Sequence, residues 1–162
     1  MEKDSLSVHG FSRLQLWDTA DKDGKPLKKP KLAGDSGWQG PNAVVNLGFQ
    51  DYICAAIGSV AGSKYVTHML LGTGTQPGVT DTSPEGETRI RKTSTNTLIA
   101  SQTLQATAEW SSSDNGATCA IKNVGLANTS AGGTILCGNT YAVSTWATNQ
   151  AVSATYQLRF SQ

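Results

Sequence analysis

The clearest hydrophobic pattern lies at the end of the chain. Val152, Ala154, Tyr156, Leu158 and Phe160 alternate with Ser153, Thr155, Gln157, Arg159 and Ser161. Side chains on a strand point to opposite faces in turn, so a period of two predicts a half-buried β-strand. Leu104, Ala106, Ala108 and Trp110 share one parity in the same way, with Thr103, Gln105, Thr107 and Glu109 on the other. Further strands are expected over Tyr65–Leu71, Ala117–Leu126 and Gly133–Tyr141, and a weaker one over Arg89–Thr95. Turn clusters at Ser113-Asp114-Asn115-Gly116 and Ala131-Gly132-Gly133 separate them. Strands at this spacing predict a mainly β fold, an antiparallel β-sandwich.

One segment breaks the period of two. Val44, Val45, Leu47, Ile53, Ala56, Ile57 and Val60 recur at near-helical spacing. The spacing predicts one α-helix over about 43–59, with Asn42 as its N-cap and Gly58 and Gly62 as stops. Residues 1–41 read differently, as an extended N-terminal arm outside a sandwich domain of residues 42–162. Ser12–Trp17 alternates and forms a short strand. Asp18–Gly24 reads as a hairpin-like turn, because Asp-Gly accepts the positive φ such turns need. Pro26 and Pro30 exclude a helix or a central strand after it. Gly34–Pro41 reads as a loop around Trp38.

Composition sharpens the picture in one respect. Charged residues make up only 15%, against about 25% in an average domain. The exposed faces of the strands must therefore be largely hydroxyl and amide. A formal net charge of +1 gives no general case for nucleic acid or an anionic membrane. No apolar run approaches the ~18–20 residues of a membrane span. The polar start, Met1 to Ser5, lacks the apolar stretch of a signal peptide.

Candidate chemistry is sparse. Cys54, Cys119 and Cys137 form no Cys-x-x-Cys pair, so reduced thiols are expected rather than a zinc site or a disulfide framework. The two histidines, His9 and His68, stand apart, and neither is bracketed by a Ser/Asp constellation. Asp21 and Asp23 before Gly24 resemble part of a calcium loop, but Pro30 occupies the position of its closing carboxylate. Gly72-Thr73-Gly74-Thr75 lacks the Lys and the helix of a phosphate cradle. Glu85, Glu87 and Glu109 are the only glutamates past the arm; paired carboxylates can cleave glycosides, and nothing in the sequence favours such a pair. The expectation is a protein that is not an enzyme and holds no metal or cofactor.

Contact residues are the better candidates. Lys28, Lys29 and Lys31, flanked by Trp17 and Trp38, suit an arm docked on another protein more than a nucleic-acid surface. Tyr141 and Trp146, in an expected loop over 139–150, are the candidates for a recognition surface, since aromatic rings stack on sugars and anchor interfaces.

The order of features from Asn42 to the C-terminus resembles a loose group of tailed-bacteriophage virion structural proteins. The residues that carry the resemblance are Gly72-Thr73-Gly74-Thr75, Asp81-Thr82, Glu87, Arg89, Gly125-Leu126 and Gly132-Gly133. Ser83 and Pro84 depart from the Leu that follows Asp-Thr in that pattern, and Asn123 stands where Glu often precedes the Gly-Leu. The resemblance implies a capsid decoration or cement protein located in the virion. Its partners would be the major capsid protein or tail proteins, and it would be a homo-oligomer, with a trimer matching three-fold lattice sites. A tail, collar or fibre component with a receptor- or carbohydrate-binding role is the alternative. The motif residues are then structural: glycines for tight turns, Asp81 and Thr82 closing a turn, and Glu87 paired with Arg89.

Overall fold

In a computed structural model, which describes residues 7–42 and 44–161, the chain runs through ten strands. In chain order these are β1 (Ser7–Ala20), β2 (Pro26–Asp35), β3 (Gln39–Asn42), β4 (His68–Gly72), β5 (Glu87–Thr93), β6 (Thr95–Ala100), β7 (Thr103–Trp110), β8 (Cys119–Ala127), β9 (Ile135–Trp146) and β10 (Gln150–Ser161). A helical segment, α1, joins a π-helical stretch, Gly48–Cys54, to a single α-turn, Ala55–Ile57. The strands form two antiparallel sheets. One has the order β2–β1–β10–β7–β6, with β3 also on β1; the other has the order β5–β4–β8–β9. The expected mainly β, two-sheet architecture with one helix is what the chain adopts.

The period of two builds the core directly. On the inner face of the larger sheet the ladder sets Leu16, Val152 and Trp110 in one row and Leu14, Ala154 and Ala108 in the next. Met69, Leu71, Ile121, Val124, Leu126 and Trp146 of the smaller sheet pack into the same cluster. Burying a side chain of this size stabilises the fold by ~1.5–3 kcal/mol. A second, smaller cluster of Val45, Leu70, Ala127 and Ile135 packs with Leu47.

The boundary between arm and sandwich is corrected. Residues 7–18 pair with β10 over its whole length, from Ser7 opposite Ser161 to Asp18 opposite Gln150. Val8, Leu14 and Leu16 are core residues. β1 is therefore an interior strand, and its register puts Leu14 and Leu16 beside the alternating apolar set of β10. β2, with its two prolines, lies at one edge of the sheet, where a missing N–H costs no ladder bond. Pairing along Gln39–Asn42 replaces part of the expected loop around Trp38.

The helix is corrected as well. Its expected first residue, Ala43, lies outside the described residues. Val44 and Val45 precede the helical turns: Val44 bridges to Cys137, and the Val45 amide donates to the Leu136 carbonyl at 3.1 Å. Helical turns begin only at Asn46 and end at Ile57. Asn42 does not cap them. Its side-chain amide is buried and donates to the Gly138 carbonyl and the Tyr156 hydroxyl. Ile57 and Val60, read as apolar-face residues, are exposed. Tertiary hydrogen bonds of the 44–46 segment thus override the helical spacing.

Candidate functional site

The expected recognition loop is a strand. Trp146 ends β9 with no exposed surface and donates its indole N–H to the Gln150 carbonyl at 2.7 Å. Tyr141 is buried and donates to the Asn123 carbonyl at 3.2 Å. Both rings are core, because β9 continues five residues past Tyr141 and Trp146 falls opposite Cys119 on β8. Neither is available to a sugar.

The other candidates are at the surface but do not form one patch. Lys28, Lys29 and Lys31 are exposed along β2, with Lys31 opposite Asp18 and next to Trp17 on the β1–β2 ladder. Trp38 is 43% exposed. It precedes Gln39, which faces Ser12, so it lies roughly 15–20 Å from Trp17 along β1. Trp17 is half-buried and lines a cleft of about 570 Å³ with Pro30, Glu109, Ala151 and Ser153. Lys92 and Asp114 pair at 2.8 Å on its far wall. Burial works to raise the Asp114 carboxyl, but the Lys92 ammonium and the Ser111 donors outweigh it and hold it below its ordinary range.

The motif residues close a loop rather than line a site. The Thr73 and Gly74 amides donate to the Gly86 and Glu85 carbonyls at 3.0 Å, extending the β4–β5 pair. Glu85 accepts from the Thr75 amide and hydroxyl, both at 2.7 Å, which holds its carboxyl below the ordinary range. Gly74 is required there, because a Cβ would stand 2.5 Å from the Glu85 side chain. Buried Asn123 donates to the Thr75 and Glu85 carbonyls at 3.1 Å, so the residue standing in place of Glu pins this loop to β8. Asp81 closes its turn by accepting from the Gly78 amide at 2.7 Å.

Glu87 takes a different partner from the expected Arg89. A bulge sets three residues, Arg89 to Arg91, against Leu70, and Arg89 adopts a φ of 66°. That turn carries Arg89 to the Asn115 side chain, at 3.0 Å. Arg91 instead meets Glu87 at 2.6 and 2.8 Å and also donates to the Thr129 and Gly132 carbonyls. Its guanidinium is nearly buried and ties β5 to the Gly-Gly turn.

Two glutamates are thus committed to structure, and Glu109 remains at the cleft. The His68 ring and the Thr67 hydroxyl lie 2.8 Å apart. Among the described residues, no three His, Cys, Asp or Glu side chains gather as metal ligands do. Cys119 faces Trp146 and Cys137 faces Leu126, so the two thiols are separated by seven positions of ladder, or roughly 23 Å. Burial pushes the Cys137 thiol up to about 12.

What sequence reading missed is the edge strand β6. All six of its residues, Thr95-Asn96-Thr97-Leu98-Ile99-Ala100, are exposed, and no described strand pairs with its outer side. Leu98 is 69% exposed. Beside β6, between the sheet and α1, opens an apolar groove of about 320 Å³, lined by Ile53, Tyr65, Asn96, Leu104, Leu158 and Phe160. Tyr65 stands 75% exposed at the groove. The available signal was the absence of any charge from Thr93 to Ala108. The other three sheet edges are treated differently. β2 carries prolines and lysines, and β5 carries Glu87, Arg89, Arg91 and Lys92. β9 is covered along Leu136–Asn139 by Val44, Val45 and Gln39. No protein-family model, curated protein or solved structure matches the chain. No helix among the described residues is long and apolar enough to cross a membrane.

Proposed function

We propose that the protein is a structural component of a bacteriophage particle that works by being built into an assembly, in a capsid decoration or cement role ahead of a tail, collar or fibre role. The observation that carries an assembly role is the bare β6 edge. An uncharged strand of high β propensity, with outward backbone N–H and C=O groups that no described strand pairs and an apolar groove beside it, is a template for another chain. Protein surfaces that remain in solvent guard such edges, as β2 and β5 do here with Lys, Arg and Pro.

The phage reading rests on the resemblance in motif order, and the structural use of those motifs supports it. Gly74, Asp81 and Glu87 each close a loop or anchor a strand rather than present a reactive group. Individually weak contacts suffice in this role, because a lattice multiplies them.

Mixing the purified protein with capsids that lack it, then sedimenting the particles and counting bound copies, tests the proposal. Saturable binding at a copy number set by the lattice is expected, and Leu98→Lys is expected to reduce occupancy. Absence of binding to capsids and tails alike would overturn the phage reading.

A further inference from the structure

We infer that β6 is the pairing edge for β6 of a second copy of this chain, so that the six-stranded sheets of two molecules continue into one another across a two-fold axis. This rests on the reading of β6 as the assembly surface and names what covers it.

Three observations select a second copy. The first is charge. β6 and its hairpin partner β7 carry no charged residue from Thr93 to Ala108, so two copies approach with nothing to repel and no ion to desolvate. An acidic or basic partner would find no complement along the strand. The second is the match of faces. Thr95 and Thr97 pair with Thr107 and Gln105 on the outer face, while Asn96 and Leu98 pair with Ala106 and Leu104 on the inner face. A two-fold axis normal to the sheet places outer residues beside outer residues. An axis at Thr97 sets Thr97 opposite Thr97 on the outer face and Asn96 opposite Leu98 on the inner face, and an axis at Asn96 sets Thr95 opposite Thr97; in either register threonine meets threonine, a favourable cross-strand pair. Regular pairing runs over Thr95–Leu98, before the shift at Ile99. Leu98 and the exposed Tyr65 at the adjoining groove supply apolar surface beside the new ladder.

The third observation is closure. The opposite edge of the same sheet is β2, whose Pro26, Lys28, Lys29, Pro30 and Lys31 oppose pairing with a copy of itself. With one edge open and one guarded, sheet continuation stops at two molecules. Two open edges would propagate a filament. The geometry therefore favours a two-fold dimer over the three-fold arrangement implied by the family resemblance.

Sedimentation velocity of the full chain over a concentration series tests this, with Thr97→Lys and Leu98→Lys as variants. Both positions are exposed, and thermal melts establish that each variant folds. The wild type is expected to show a monomer–dimer equilibrium. Each variant, which brings two lysines close together as opposed or diagonal neighbours about the axis, should dimerise on the order of ten-fold more weakly or not at all. Lys28→Glu on β2 should leave dimerisation unchanged. A wild type that stays monomeric to the highest concentration reached, a trimer, or variants that dimerise as the wild type does would each overturn the inference. Capsid sedimentation separates the two readings. A monomer whose capsid binding still depends on Leu98 sinks the second copy and leaves the assembly role standing. A dimer that binds no particle does the reverse.

Discussion

The two edges of the larger sheet are built from opposite materials. β2 carries two prolines and three lysines, and Asp35 at its end is held by Arg13 at 2.9 Å. β6 carries threonine, asparagine and aliphatic side chains, all exposed, with no charge. Both strands satisfy the same requirement on their inward side, a ladder to the next strand. They differ in what they do with the outward side. Pro and Lys make an edge that ends a sheet, while a neutral β-branched edge invites another strand. A single sheet thus has a closed end and an open end, and that asymmetry makes a finite assembly possible.

The largest test of the comparison removes the closed end. Deleting residues 1–41 takes away β1 as well as β2 and β3, and so strips one whole side of β10, including Leu14 and Leu16 from the core. The truncated chain is expected to lose cooperative thermal unfolding altogether. A truncated chain that still melts cooperatively would mean that the sandwich does not depend on β1.

A smaller change opens the closed end without unfolding it. Replacing Lys28, Lys29 and Lys31 with Thr alters only exposed positions, where effects on stability usually stay within about 0.5 kcal/mol. The sheet then has two permissive edges, and species larger than the dimer are expected in light scattering. If the triple variant associates no further than the wild type, the prolines or the local twist guard β2, and the lysines do not.

The smallest effect comes from pH. The Arg13 guanidinium, with help from Gln15 and the Gly37 amide, holds the Asp35 carboxyl well below its ordinary range. A carboxyl whose folded pKa is depressed contributes stability that is present above about pH 4 and is lost as pH falls through the folded value. Asp114 shifts in the same direction. The melting temperature is expected to decline as pH drops below about 4, and Asp35→Asn should lessen that decline. β6 has no titrating side chain, so self-association through it should be unchanged between about pH 8 and pH 5, provided the fold persists.

Much of the fold was legible because its strands are half-buried. β10 and β7 show their parity in plain alternation, and the structure pairs the same parities, residue on residue, from Val152 opposite Trp110 to Leu158 opposite Leu104. Of the turn expected over Asp18–Gly24, the part after Ala20 was legible too. Asp21 accepts from the Asp23 and Lys25 amides, and Gly24 takes a φ of 79°. The candidate site was hardly legible. β6 has no alternation to read, because neither of its faces is covered, and pattern reveals a strand only when one face is buried. Trp146 misled for the converse reason: a buried indole near turn-forming residues has the same local sequence as an exposed one.

The sequence by itself determined the fold class, the inner faces of β7 and β10, the exclusion of the proline-bearing segment from a helix or a central strand, and the low charge of the surface. These follow from local side-chain period, backbone chemistry and composition. Only the tertiary structure decided that residues 7–20 are interior and that helical turns start at Asn46. It also decided that Glu87 pairs with Arg91, that Trp146 is core, and that β6 is bare. Each of these depends on partners far away in the chain. Which side of a strand is paired, and whether a ring is covered, are properties of the neighbours and not of the strand.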